Sequence, residues 1–356
     1  MNKKGFELQF HWIFILLAGG LILGFFLSVA YKHQNLSEQR LELSLSAQTE
    51  SVFTAAIKGK GAAQMIPNLG ISFGCTSGCS CGFNIGFNNP VKTQPDHVLG
   101  GSLFALTSKS PSLVVWSREV RLPYRIANVL LITDPQVKYY FVGDKTQSFF
   151  SQLTRAIPVF QTKEGVVSAI SYENISVSQV GGVIADSDKS RFVFVSGDPS
   201  SFSLDASFKG KEVSAVKIEA QSVGFYELDD LRFSPSGASV ARADLTSVFA
   251  AIFASDQVMY RCGMQQLGRK AGIVAQVYHD RAEALKEFTS LPGEGFNINC
   301  PVLYDPLMEN LKQQIIAANT LANSLSTSAL AGLGQHNVFL ESGNRALSEK
   351  SCPELF

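Results

Sequence analysis

The sequence predicts an α+β fold, with an N-terminal transmembrane helix and stem, a β-rich and mixed ectodomain, and a C-terminal helical bundle. Three observations lead there. Trp12 to Tyr31 is a run of twenty residues without a charge, and as a helix at ~1.5 Å per residue it reaches ~30 Å, the thickness of a bilayer's hydrocarbon core. Between residues 70 and 235, short runs of β-branched and aromatic residues are punctuated by Gly, Ser, Asp and Pro. From residue 236 onward, apolar residues recur at helical spacing.

Residues 1–11 form the predicted cytoplasmic N-terminus and 12–31 the transmembrane helix. Trp12 and Tyr31 stand at the two ends of the run, where amphipathic rings favour the headgroup layer. Lys3 and Lys4 precede it and favour a cytoplasmic N-terminus, whereas Lys32 and Arg40 beyond it are offset by Glu38 and Glu42. Three readings of the run compete. A permanent signal-anchor is preferred. A cleaved signal peptide is the second, because Ser28-Val29-Ala30 is a small-x-small site, although the apolar stretch before it is long. The third is a pilin-type leader, for which Lys3-Lys4-Gly5 supplies the short basic segment while Glu7 departs from the common bacterial placement.

Residues 32–58 read as a helical stem. Leu41, Leu45, Val52, Phe53, Ala56 and Ile57 form an apolar stripe flanked by Glu38, Glu42 and Glu50, and Gly59-Lys60-Gly61 ends it. Residues 59–158 read as β-rich with a cysteine loop: Leu113 to Trp116, Val129 to Ile132 and Lys138 to Val142 are strand-like, and Thr146 to Ile157 is a short helix capped by Thr146 and closed by Pro158. Residues 159–235 read as an α+β segment. Its strands are Val166 to Ile170, Gly182 to Ile184, Phe192 to Val195, Val213 to Ile218 and Val223 to Leu228. The run Arg191 to Val195, ending at Ser196-Gly197-Asp198-Pro199, resembles the buried strand-to-loop edge of an α/β sheet.

Residues 236–356 read as helical. Asp244 caps a first helix with Leu245, Val248, Phe249 and Ile252 on one face. A second helix carries Leu267, Ala271, Val274, Tyr278, Leu285 and Phe288. A third follows Asp305-Pro306, with Met308, Leu311, Ile315, Ala318, Ala322, Leu325 and Ala329 on one seam, read as bundle packing rather than a coiled coil. Two segments echo each other, Cys300-Pro301-Val302-Leu303-Tyr304 and Cys352-Pro353-Glu354-Leu355-Phe356, and each cysteine stands where it would lock a segment entering or leaving a helical hairpin.

About 320 residues follow the apolar run, enough for one large or two ordinary domains. With a formal charge of zero and 17% charged residues, no basic excess points to nucleic acid. Six cysteines, Cys75, Cys79, Cys81, Cys262, Cys300 and Cys352, form an even set. Outside the cytoplasm disulfides are the default reading. Cys75, Cys79 and Cys81 follow C-x3-C-x-C spacing in a glycine-rich loop, with His97 the nearest candidate for a fourth zinc ligand and no flanking cation to lower a thiol pKa. Disulfides are therefore preferred over metal or redox chemistry, and no cofactor is implied. Six cysteines allow fifteen pairings. The division between the halves favours at least one bridge from the loop to the helical part, or one pair in each half and one across; stapling of helix ends by Cys262, Cys300 and Cys352 stays open. Cys262 and Cys300 enclose the second helix in this reading.

Catalytic motifs are lacking. The five histidines are scattered, and His279-Asp280 reads as part of a solvated helix face rather than an acid–base pair. Sequons at Asn35 and Asn174 are compatible with glycosylation.

The opening KKGFELQFHWIFILLAGG, the segment Arg121-Leu122-Pro123-Tyr124 before Val129 to Thr133, and the closing Cys-Pro-x-Leu-aromatic are similar to uncharacterised single-anchor membrane proteins of archaea with a pilin-like N-terminus. The resemblance implies an archaeal-type envelope topology and carries over no functional residue. The expectation is a single-pass membrane protein with the bulk of the chain extracytoplasmic. It would contact lipid through its N-terminal helix and bind a protein partner or itself in a non-enzymatic or structural role, a pilus-like assembly being one form. The alternative is a membrane-tethered enzyme or thiol–metal protein using the Cys75–Cys81 loop.

Overall fold

Helix α1 runs from Lys4 to Lys58 and opens a structure, a computed structural model, that describes residues 4–59, 63–68, 70–76, 78–85, 97–98, 102–107, 110–162, 165–291 and 298–356. Side chains of 4–12, 33–43, 46, 97–98, 161–162 and 165–166 lie outside that description. The expectations for Trp12, for Leu41 and its flanking Glu38 and Glu42, for the Asn35 sequon and for His97 as a zinc ligand fall there. The chain divides into two compact units, Met1–Ser51 and Val52–Phe356.

In the first unit, Ile13–Lys32 is a helix long and apolar enough to cross a membrane or to serve as a signal sequence, with none of it buried. Leu16 and Phe26 are exposed, as is Tyr31 at its end. A helix apolar all round is unstable in water and belongs in lipid or a protein core.

The second unit begins inside the predicted stem. Phe53 is fully buried, its ring 5.9 Å from that of Phe73 and 5.2 Å from that of Phe83. The last turns of α1 are thus part of a domain core rather than a free stalk. Strands follow in the order β1 (Gln64–Pro67), β2 (Ile71–Cys75), β3 (Cys81–Ile85), β4 (His97–Val98), β5 (Ser102–Leu106), β6 (Ser112–Arg121) and β7 (Arg125–Thr133). They make a four-stranded sheet ordered β1-β6-β7-β5 and a three-stranded sheet β2-β3-β4.

Next come β8 (Val137–Val142), α2 (Ser148–Arg155), the hairpin β9 (Val159–Thr162) and β10 (Gly165–Ser168), then β11 (Ser171–Ile175), β12 (Lys189–Phe194), β13 (Glu212–Ile218), β14 (Ser222–Asp229), β15 (Arg232–Pro235) and β16 (Val240–Ala241). A seven-stranded sheet takes the order β11-β8-β12-β13-β14-β15, with β16 also on β14. From β11 to β13 neighbours are parallel, and beyond β13 they are antiparallel. The buried run in β12 has the character of a parallel strand covered on both faces. Within the region read as wholly helical, Val240–Ala241 belongs to this sheet.

Two local expectations fail. Gly182 to Ile184 is no strand: Val177–Gly182 is a 3-10 turn, set by Gln179 Oε1 accepting the Ser176 backbone N–H at 2.8 Å. Gln147, not Thr146, precedes α2, because the Thr146 N–H is taken by Asp144 Oδ1 at 2.9 Å in the preceding turn.

Helix α3 (Leu245–Phe253) is capped by Asp244, whose Oδ1 accepts the Ser247 N–H at 2.8 Å. It is buried from Thr246 to Phe253 and lies between the two larger sheets. Phe253 meets Trp116 of β6 at 4.6 Å and Tyr139 of β8 at 5.3 Å. Arg191 of β12 closes the far end of α3, donating to Ala251 O at 3.1 Å and Ser255 O at 3.3 Å. Burial holds its pKa down at about 10.

Helix α4 (Gln257–Thr289) starts ten residues before the first apolar position the pattern identifies, from an Asp256 cap, so Cys262 lies within the helix rather than before it. α5 (Cys300–Ser324) begins at Cys300-Pro301, where the proline's missing N–H costs least, and Pro306 falls inside it. Leu325 adopts a left-handed conformation with φ 49°, and Ser326 caps α6 (Thr327–Glu349). The expected single seam therefore splits, with Ala329 on a separate helix. Its α5 portion packs on α4 through glycines: a Cβ on Gly268 would stand 2.9 Å from Ala322 N and 3.1 Å from Ala318 O.

Candidate binding cleft

All six cysteines are paired. Cys75 and Cys81 face each other across the β2–β3 hairpin and are bonded at 2.06 Å. Cys79, in the left-handed conformation at the hairpin tip (φ 58°), reaches Cys262 on α4. One turn further along α4, the Gln266 amide donates to Cys79 O at 2.6 Å, so the helix holds the tip twice. Cys300 pairs with Cys352, joining the two echoing segments, and the Tyr304 hydroxyl adds a 2.6 Å bond to Pro353 O. The arrangement is one pair in each half and one across. With every sulfur in a disulfide, the Cys75–Cys81 loop carries no thiolate for metal or redox chemistry. Among the described residues no group of three His, Cys, Asp or Glu side chains is placed to hold a metal.

His279 differs from its expected place on a solvated face. Its side chain is 15% exposed, neither ring nitrogen has a hydrogen-bond partner, and Nδ1 stands 3.6 Å from Asp280 Oδ1. Asn174 sits in strand β11 with its Oδ1 buried, a poor setting for a glycan acceptor.

A cleft of about 940 Å³ opens at the far end of the β6–β7 hairpin. β1 pairs only with Ser112 to Val115, so the remainder of β6 runs past it. Ser117, Arg118 and Glu119 from this stretch and Arg125 from β7 line one wall, Ala156 and Pro158 after α2 another, and Tyr278 of α4 with Phe356 a third. The turn between the strands is closed by the Leu122 N–H donating to Tyr124 O at 2.8 Å. Tyr124 is anchored below: its hydroxyl donates to Gln314 Oε1 at 2.6 Å, and its ring lies 4.2 Å from that of Tyr278 and 5.6 Å from that of Phe356. Burial pushes its phenol up, out of titration range.

The wall is cationic. The carboxylate of Glu119 is shared between Arg121 Nε at 3.1 Å and Arg125 Nε at 3.3 Å. Arg118 has no carboxylate at ion-pair distance among the described residues; it donates to Ala156 O at 3.2 Å and lies 4.6 Å over the Phe249 ring. Burial lowers its pKa, against the pull of Asp244. Asn128 fixes the remaining side by donating to Ile57 O at 2.6 Å and Gly59 O at 3.0 Å.

The chain matches no protein-family model, no curated protein and no solved structure.

The cleft's polar set suits holding a ligand more than moving protons. Its carboxylate is already shared between two guanidinium groups, and its Ser117 hydroxyl donates to Gly59 O at 3.4 Å rather than to a base. Sequence reasoning missed this site. Arg121-Leu122-Pro123-Tyr124 drew notice only as part of a resemblance, and its partners come from segments up to the chain's last residue.

Proposed function

We propose that this chain is a single-pass cell-envelope protein whose disulfide-bonded α+β domain stands on the extracytoplasmic side and binds other proteins without chemical turnover. The observation that carries the reading is the complete pairing of six cysteines downstream of an exposed apolar helix. Such pairing persists in oxidising compartments and is rare in the cytosol. An arginine-lined cleft without an acid–base pair supports binding over catalysis. A pilus-like assembly is one form of this role.

Protease added to intact cells should remove the domain and spare the first thirty or so residues. Non-reducing peptide mapping of the native protein should recover all three linked pairs, and purified protein should hold no stoichiometric zinc. A mature N-terminus at Phe6 would select the pilin form, and one at Tyr31 would remove the anchor. Six free thiols in protein isolated without reductant would reverse the topology and return the cysteine loop as a metal site.

A further inference from the structure

The cleft's side-chain charge is one-sided: Arg118, Arg121 and Arg125 converge on a space in which Glu119 is the one acidic side chain among the described lining residues. Arg121 and Arg125 keep 68% and 53% of their side chains exposed even while bonded to it. Beside them lie the rings of Tyr278 and Phe356. An arginine fork matched to carboxylates, next to aromatic surface, is the composition of a protein-recognition site.

Resting on the protein-binding reading above, we propose that this cleft docks an acidic, extended segment of a partner protein, its carboxylates on Arg121 and Arg125 and its apolar parts against Tyr278 and Phe356. Glu119 decides between anions. Placed between the two arginines, it repels a densely charged polymer such as a sulfated glycan. An extended peptide turns alternate side chains to one face ~7 Å apart, so it can straddle Glu119 and put a carboxylate on each side. The volume, near 940 Å³, is at the upper end of the range for buried ligands and accommodates several residues.

The test uses the full chain in detergent micelles with three probes: a fluorescent glutamate-rich synthetic peptide, its glutamine counterpart, and dextran sulfate. The glutamate peptide should bind, more weakly as salt rises, and the glutamine peptide should not. Arg121→Glu combined with Arg125→Glu should weaken binding ~10-fold or more. The milder Arg121→Gln, Arg125→Gln pair should follow it, and Lys209→Glu, on an exposed turn away from the cleft, should not. An unchanged melting temperature in each variant separates lost binding from lost folding. Equal binding of both peptides, indifference to the arginine pair, or preference for dextran sulfate would overturn the proposal. Crosslinking in native membranes separates the two levels: a partner still captured by the arginine variants leaves the protein-binding reading standing and removes this cleft from it. Capture of no partner by any form removes both.

Discussion

The seven-stranded sheet and the cysteine-bearing parts of the domain are held together in different ways. Between Cys81 and Cys262 there is no cysteine, and the sheet formed there is covered on both faces. One face buries Tyr140, Phe192, Phe194, Phe208 and Phe233, and the other buries Tyr139, Phe141, Val193 and Val216 with the core around α3. Among the described residues the three-stranded sheet has strands of five, five and two residues, and the core shared by the distal parts of α4, α5 and α6 is small. Cys75–Cys81 lies in the three-stranded sheet, Cys79 ties that sheet's hairpin tip to Cys262 at the start of α4, and Cys300–Cys352 lies in the small core. Where two-sided burial is available, packing alone suffices; where elements are short or meet only at their ends, covalent links replace it.

The comparison breaks most visibly at the long bridge. Chain-entropy reasoning gives ~5 kcal/mol for Cys79–Cys262, ~4 for Cys300–Cys352 and ~2 for Cys75–Cys81, with the mechanism disputed. Serine pairs replacing each bridge should lower the melting temperature in that order. A greater loss from the short hairpin bridge would show that local geometry, not chain closure, sets the contribution. In the cysteine-free sheet, Phe192→Ala should cost ~3–5 kcal/mol, because its ring is fully buried among Tyr140, Phe208 and Phe233. That loss should be the same with the bridges intact and reduced, which paired denaturant titrations can check. If reduction changes it substantially, the two regions are one cooperative structure.

Gly268→Ala probes the α4–α5 contact, where a methyl would meet backbone that cannot rotate away. About 1–3 kcal/mol should be lost. The smallest effect expected is from Asp256→Ala, ~1 kcal/mol, since one cap bond to the Met259 N–H at 2.8 Å disappears. Hydrogen exchange should quicken in the first turn of α4 and leave β12 unchanged.

Much of this division was legible in the sequence, and its limits are physical. The apolar helix, the sheet-rich middle and the C-terminal helices are written in periodicity, which is local. The Asp244 cap was readable for the same reason. The first turns of α4 were not, because Gly263 and Cys262 look like a loop until Phe104 is seen against one and Cys79 against the other. Pro306 misled because a second proline six residues from a helix start is locally indistinguishable from a first. The cleft was illegible as a whole. Arg118 and Arg125 lie near each other in sequence, but Ala156, Tyr278 and Phe356 reach them only through the fold.

The bridge from Cys79 to Cys262 also has a mechanical meaning. When a domain is pulled from its two ends, a disulfide excludes the chain it encloses from lengthening. The bridge takes the whole seven-stranded sheet out of the load path, and Cys300–Cys352 does the same for α5 and α6. Of the roughly 300 residues in the domain, on the order of 70 remain to be drawn out, at ~3.5 Å each. Pulled from its termini, the oxidised protein yields a short leash and keeps its largest sheet folded; reduced, it can pay out to about four times that length.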